Sequence, residues 1–216
     1  MAGRGDTSGH FFLGMSYTTI RPEWEGQTAF IIGGGPSVAE QDLSALAGRR
    51  VIVVNSSYEA YPGADALFFG DHRWWQVHAC RLENFPGRIY SCAAASAGRR
   101  LLKLRRVVPP PGLAEDRDAV ASQRTSLHGA MNLAVHLGVR RIVLLGADMG
   151  RDASGRSHHH SPHQWANRPG NETWDVQMAQ FRFIVAPLAA RGVEVINASP
   201  VSRIPWWPIR PLGEAL

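Results

Sequence analysis

Cysteine is scarce in this sequence. Cys80 and Cys92 are the only two, and their spacing is not that of a metal knuckle. A disulfide framework or a cysteine-based zinc site is therefore excluded, and a reducing cytoplasm is the expected home, host cytoplasm if the chain is phage-encoded. No apolar run approaches the ~20 residues that cross a bilayer. Met1-Ala2-Gly3-Arg4-Gly5-Asp6 lacks the apolar core of a signal peptide, and its adhesion-like Arg-Gly-Asp has no role in a cytoplasmic chain. The Gly-Lys-Ser/Thr of a Walker loop is missing, as is the later glycine of a dinucleotide fingerprint. No internal repeat is visible.

What is present suits one sizeable globular domain: 216 residues, 44% hydrophobic and 19% charged. The 23 basic residues outnumber the 18 acidic ones, for a net charge of +5. Such an excess favours anionic partners, whether nucleotides, acidic glycans or nucleic acid, without choosing among them.

The chain is organised around Ala29-Phe30-Ile31-Ile32-Gly33-Gly34-Gly35-Pro36-Ser37-Val38-Ala39-Glu40. A short apolar run ending at turn residues predicts a buried strand. Ser37 with Glu40 three positions on predicts a capping box at a helix start. Strand, glycine turn and helix start together expose unpaired N–H groups that attract an anion such as phosphate. A bare tight turn is the equal alternative.

Further buried strands are expected at 51–54, 66–69, 88–91, 141–146 and 193–196, with helices at 72–82, 125–137 and 174–191 between them. That alternation predicts an α/β fold: a single Rossmann-like, doubly wound, mostly parallel sheet with helices on both faces and a loop lid. The division is an arm (1–27) with a docking patch at His10–Leu13, a nucleotide-binding domain (28–204) with a lid loop (150–172), and a tail (205–216) packed down by Trp206 and Trp207. Residues 112–124 read as a mobile loop. The basic run 99–106 reads as an edge element with solvated charges in preference to a nucleic-acid track. In parallel sheets, ligands sit beyond the carboxyl ends of the strands. Four of these ends are polar: Gly33–Ser37, Asn55-Ser56-Ser57, Asp71-His72-Arg73 and Asp148.

Three segments together resemble a known family. They are Gly33-Gly34-Gly35-Pro36-Ser37-Val38; Val54-Asn55-Ser56-Ser57-Tyr58 with the strand after it; and Thr125-Ser126-Leu127-His128-Gly129 with Gly146-Ala147-Asp148. They resemble the bacterial sialyltransferases of glycosyltransferase family 42. Motility accessory factors, the archaeal 6-hydroxymethylpterin diphosphokinase and many phage proteins share that skeleton. The resemblance implies a nucleotide-dependent transferase acting on a nucleotide-sugar donor and an acceptor, with no required metal. It implies that Gly33, Gly34, Gly35, Pro36, Ser37, Asn55, Ser56, Asp71, Ser126, His128, Gly129 and Asp148 surround the nucleotide. The diphosphokinase alternative would use ATP and magnesium. A third alternative is a non-catalytic phage accessory protein, and a homo-oligomer is compatible with each. Gly34 stands where the sialyltransferases have asparagine, and residues 149–165 hold no paired tyrosines. Asp71-His72-Arg73 lacks the diphosphokinases' second acid.

His158-His159-His160 and His163 fall where the sialyltransferases carry a histidine proposed as general base. His163 and His160 are the candidate catalytic residues, since imidazole suits proton removal from a hydroxyl. A solvated histidine-rich loop and a divalent-metal site are the alternatives, though three consecutive side chains cannot all reach one ion on a regular backbone. Asp71 fits a ribose or metal contact, an ion pair with Arg73, or a simple helix cap. Trp74 and Trp75 fit the core better than a stacking surface.

Overall fold

The computed structural model describes residues 16–108, 112–122, 124–161 and 171–216. Its strands, in chain order, are β1 (Thr28–Ile32), β2 (Arg50–Val54), β3 (Ala66–Phe69), β4 (Arg88–Ser91), β5 (Leu101–Lys103), β6 (Arg105–Val107), β7 (Ala119–Ala121), β8 (Arg141–Leu145) and β9 (Glu194–Asn197). The α-helices are α1 (His72–His78), α2 (Ser126–His136), α3 (Asn171–Ala190) and α4 (Leu212–Ala215). Seven strands form one parallel sheet in the order β5-β4-β3-β2-β1-β8-β9, and β6 pairs with β7 as a separate ribbon. The chain is an α/β protein whose strand order reverses between β1 and β8, the switch point at which such sheets open a crevice.

Alternation along the strands divides the core in two. Ala29 and Ile31 of β1 join Ile52, Phe68 and Leu144 beneath α2 and α3. Phe30 and Ile32 join Val53, Phe69 and Leu145 beneath α1 and the C-terminal α4. Trp74 and Trp75 belong to this second core, and Trp75 stacks on Phe69. Among the described residues no helix is long and apolar enough to cross a membrane.

Several local expectations are corrected. The segment after the glycine turn is not an α-helix capped by Ser37. It forms two 3-10 turns, Pro36–Glu40 and Leu43–Leu46; Gly35 holds the first cap position without a side-chain bond, and Asp42 caps the second by accepting from Ser44 N–H. The loop expected at 112–124 contains β7, fully buried under α2 because Asn132 Oδ1 accepts from Ala114 N–H and Ala121 N–H. One tail indole is packed down, not both: Trp207 meets Phe181 edge-on while Trp206 is exposed. Within the arm, Ile20 and Trp24 are core residues, and the patch at His10–Leu13 lies outside the described residues.

Gly129 sets the distance between α2 and the sheet. A Cβ there would lie 2.5 Å from the ring of Phe68, which is fully buried. Alanine gains about 1 kcal/mol in helix propensity but overpacks this contact, at a cost of about 1–3 kcal/mol. Gly129→Ala is therefore expected to lower the unfolding free energy measured in urea.

Candidate functional site

The glycine turn does not present the open cradle its sequence suggests. Gly33 N–H donates to Leu145 O at 2.7 Å and Gly35 N–H to Gly146 O at 2.9 Å. Ser37 donates from N–H to Asp148 Oδ2 at 2.8 Å and from its hydroxyl to Asp148 Oδ1 at 2.6 Å. The anion at this turn is thus the protein's own Asp148. Burial raises that carboxyl's pKa, against the lowering effect of the Ser37 bonds. Glycine is needed here for close approach: a Cβ on Gly35 would sit 2.6 Å from the Asp148 carboxyl, and one on Gly33 would sit 2.8 Å from Gly146 O. Among the described residues, Gly34 N–H alone of this group has no partner.

Above the turn lies an open cleft of about 790 Å³, at the carboxyl ends of β1, β2, β3 and β8 and the start of α2. Gly33, Gly34, Gly35, Asn55, Asp71, Ser126 and His160 line it, as expected of site residues. Pro36, Ser37, Ser56, His128, Gly129 and Asp148 do not, and each has a structural occupation. Pro36 starts a 3-10 turn, and Ser37 and Asp148 bind each other. Ser56 Oγ accepts from the Trp74 indole N–H. His128 is fully buried in α2, donates from Nε2 to Gly112 O, and has its pKa lowered to about 4 by that burial. Gly129 meets Phe68. His163 lies outside the described residues.

Backbone strain concentrates in this cleft. Asn55 (φ 51°), Arg124 (φ 64°) and Met149 (φ 54°) are the non-glycine residues with left-handed backbone among those described, and all three line it. Such conformations cost about 1–3 kcal/mol each and cluster where ligands bind. Asn55 Oδ1 is also buried with no hydrogen-bond partner among the described residues, a deficit that a ligand donor would cure. Arg124 escaped the sequence reading. The available signal was a cation just before the Thr125 cap, where the helix dipole disfavours it.

The three consecutive histidines divide their tasks. His158 and His160 face the cleft with ring centroids 5.0 Å apart. His159 turns the other way: its N–H donates to Gly34 O at 3.1 Å, and its Nε2 lies 3.1 Å from Ser57 Oγ. Ser57 spends its proton on Gly33 O, so His159 Nε2 is the donor of that pair. Burial first, then its histidine neighbours, lower the His159 pKa to about 4. The His160 Nδ1–H donates to Ser161 O, which puts the neutral ring's lone pair on Nε2, beside Gly34.

The remaining polar expectations resolve into internal bonds. Asp71 caps α1 by accepting from Arg73 N–H and pairs with the Arg73 guanidinium at 3.2 Å. Among the described residues no three His, Cys, Asp or Glu side chains converge on a metal-sized space. Much of the basic run is spent on the protein itself. Arg100 donates to the carbonyls of Leu82, Glu83, Phe85 and Gly87; Lys103 to those of Ala93, Ala94 and Ser96; and Arg105 pairs with Asp116 and Asp118.

Known structures carry the same architecture. The sialyltransferase CstII from Campylobacter jejuni in complex with cytidine-5'-monophosphate superposes with a TM-score of 0.53 at 14% identity, over 87% of this chain and 86% of that one. The same enzyme with trisaccharide acceptor and CMP gives 0.50 at 14% identity, over 86% of each chain. The two share a fold. No family model matches the sequence, and no curated protein matches it.

Buried neutral histidines make the fold acid-labile. The unfolded chain takes up protons near pH 6.5, whereas folded His128 and His159 resist until about pH 4. Their contribution is therefore intact above pH 6.5 and is lost as pH falls from 6.5 towards 4. The thermal midpoint should drop across that window. His159→Gln, which keeps a donor towards Ser57 without the titration, should make the drop shallower.

Proposed function

We propose that this chain is a nucleotide-sugar-dependent glycosyltransferase that binds its donor in the cleft above β1, β2, β3 and β8. The observation that carries the reading is Asn55. It is a strained residue whose buried Oδ1 lacks a donor, on the wall of a cleft at a sheet switch point. A polyhydroxyl sugar or ribose supplies such a donor. The shared fold with a sialyltransferase supports the same reading.

In this mechanism the acceptor hydroxyl attacks the anomeric carbon. The bond from that carbon to the phosphate oxygen breaks, and the phosphate leaves with the electron pair. His160 Nε2 takes the acceptor proton, a role its Nδ1–H···O=C Ser161 bond prepares by fixing the tautomer. The developing phosphate charge is met by cations on the cleft wall, among them Arg124.

A thermal-shift panel of nucleotides and nucleotide sugars, with and without magnesium, tests this. A true ligand at 100 times its dissociation constant should add about 2.7 kcal/mol of stability. His160→Gln should keep that shift while turnover of the matching nucleotide sugar falls about a hundredfold or more. Stabilisation only by ATP with magnesium would favour the diphosphokinase alternative, and a panel with no shift at all would favour a binding-only accessory protein.

A further inference from the structure

Because Gly33, Gly35 and Ser37 have already spent their N–H groups, the turn is left with the Gly34 N–H alone, and a phosphate needs further donors elsewhere in the cleft. A guanidinium and two hydroxyls converge at one corner, beside Gly70 at the end of β3. The point where a Gly70 Cβ would stand lies 3.1 Å from Arg106 Nη2, 3.3 Å from Ser126 Oγ and 3.6 Å from Ser122 Oγ. All four residues line the cleft. Arg106 is anchored there by donating to Gly70 O and, from Nε, to Cys92 Sγ at 3.3 Å, and its Nη1 has no partner among the described residues. Ser122 is only 6% exposed, yet its hydroxyl has no hydrogen-bond partner among the described residues. That hydroxyl opens on the cleft next to a guanidinium and a second hydroxyl, and it can donate to an acceptor bound there.

We propose that Arg106, Ser122 and Ser126 around Gly70 form an oxyanion subsite that takes the phosphoryl group of the ligand. A guanidinium fork with hydroxyl donors matches a phosphoryl oxygen set, and the missing Cβ lets it approach. Gly70 follows β3 and Gly34 follows β1, two interstrand spacings apart, or ~10 Å. That separation leaves room for a sugar ring between the phosphate and His160, comparable to the roughly 6.5–9.5 Å that separates paired catalytic groups around a sugar elsewhere. The identity of the ligand as a nucleotide sugar rests on the reading above; the subsite itself does not.

Gly70→Ala tests it without deleting a donor. The residue is outside the left-handed region, so alanine is conformationally allowed, and its methyl would fill the corner against side-chain ends that can shift. Ser122→Ala removes one hydroxyl and serves as the second variant, and unliganded urea midpoints check that both are folded. The probes are CMP, cytidine and inorganic pyrophosphate, titrated calorimetrically. Wild type should prefer CMP to cytidine by about tenfold or more, and both variants should erase most of that margin while leaving cytidine unchanged. Equal loss of cytidine and CMP would place a base or sugar in the corner and overturn the proposal. A margin untouched in both variants would overturn it too, while leaving nucleotide binding intact. Should CMP not bind, pyrophosphate binding weakened about tenfold in Gly70→Ala would keep the subsite and retire a cytidine-monophosphate-linked donor. Binding of neither probe would end both.

Discussion

The bond from Ser37 to Asp148 holds the site together. It joins the loops after β1 and β8, the two strands at which the sheet reverses its order. Parallel strands at a switch point diverge into separate crossovers, so their loops splay apart unless something closes them. Here a carboxylate sits where the turn's positive end would otherwise attract a phosphate. Both of its oxygens are satisfied by one residue, which offsets the cost of burying the charge. The glycines follow from that closure. Gly33, Gly35 and Gly146 pack so tightly that a Cβ on any of them would fall within 3 Å of a neighbour.

Closing the turn with an internal anion moves the demand for a ligand's charge to the far wall. The electrostatics of the cleft agree. Asp71, the carboxylate lining it, is neutralised by Arg73, while Arg106 and Arg124 face the same space. The strain is placed to match. Asn55, Arg124 and Met149 stand on three different loops, each bent to the left-handed region as the chain leaves a strand or approaches a helix. A fold that needed only stability would have put glycine at these positions.

The fold was legible because parallel strands buried on both faces read as short apolar runs, and six of the seven sheet strands show as such runs. β5 showed only as an edge element, because Leu101–Lys103 is short and carries charge. β7 was hidden for a different reason. Its three residues owe their order to Asn132, a helix side chain eleven residues or more away, and no local pattern encodes such a partner. Of the residues that line the cleft, Asn55 and the glycines stood out at strand ends, and Ser126 stood out only through the family resemblance. Ser56 and His128 are buried and Gly129 packs on Phe68, because a step of one or two residues along a strand exit or helix start carries a position from the cleft to the core. Arg106 and Ser122 were invisible, since β6 and β7 approach the cleft only through tertiary pairing.

The histidine tract carries the same logic one step further. Alternation sends His158 and His160 to the cleft and His159 to the glycine turn. Burial favours the neutral form of the middle ring, and among the described residues no carboxylate balances a charge on it. His158 and His160 flank it and further disfavour its protonation. The two outer rings stand on the cleft side, and the middle one is spent on the glycine turn. The segment can therefore offer imidazoles to the cleft without giving up the contact that holds it to β1. That separation requires three adjacent residues, and it explains why a tract that looks redundant in sequence need not be so in space.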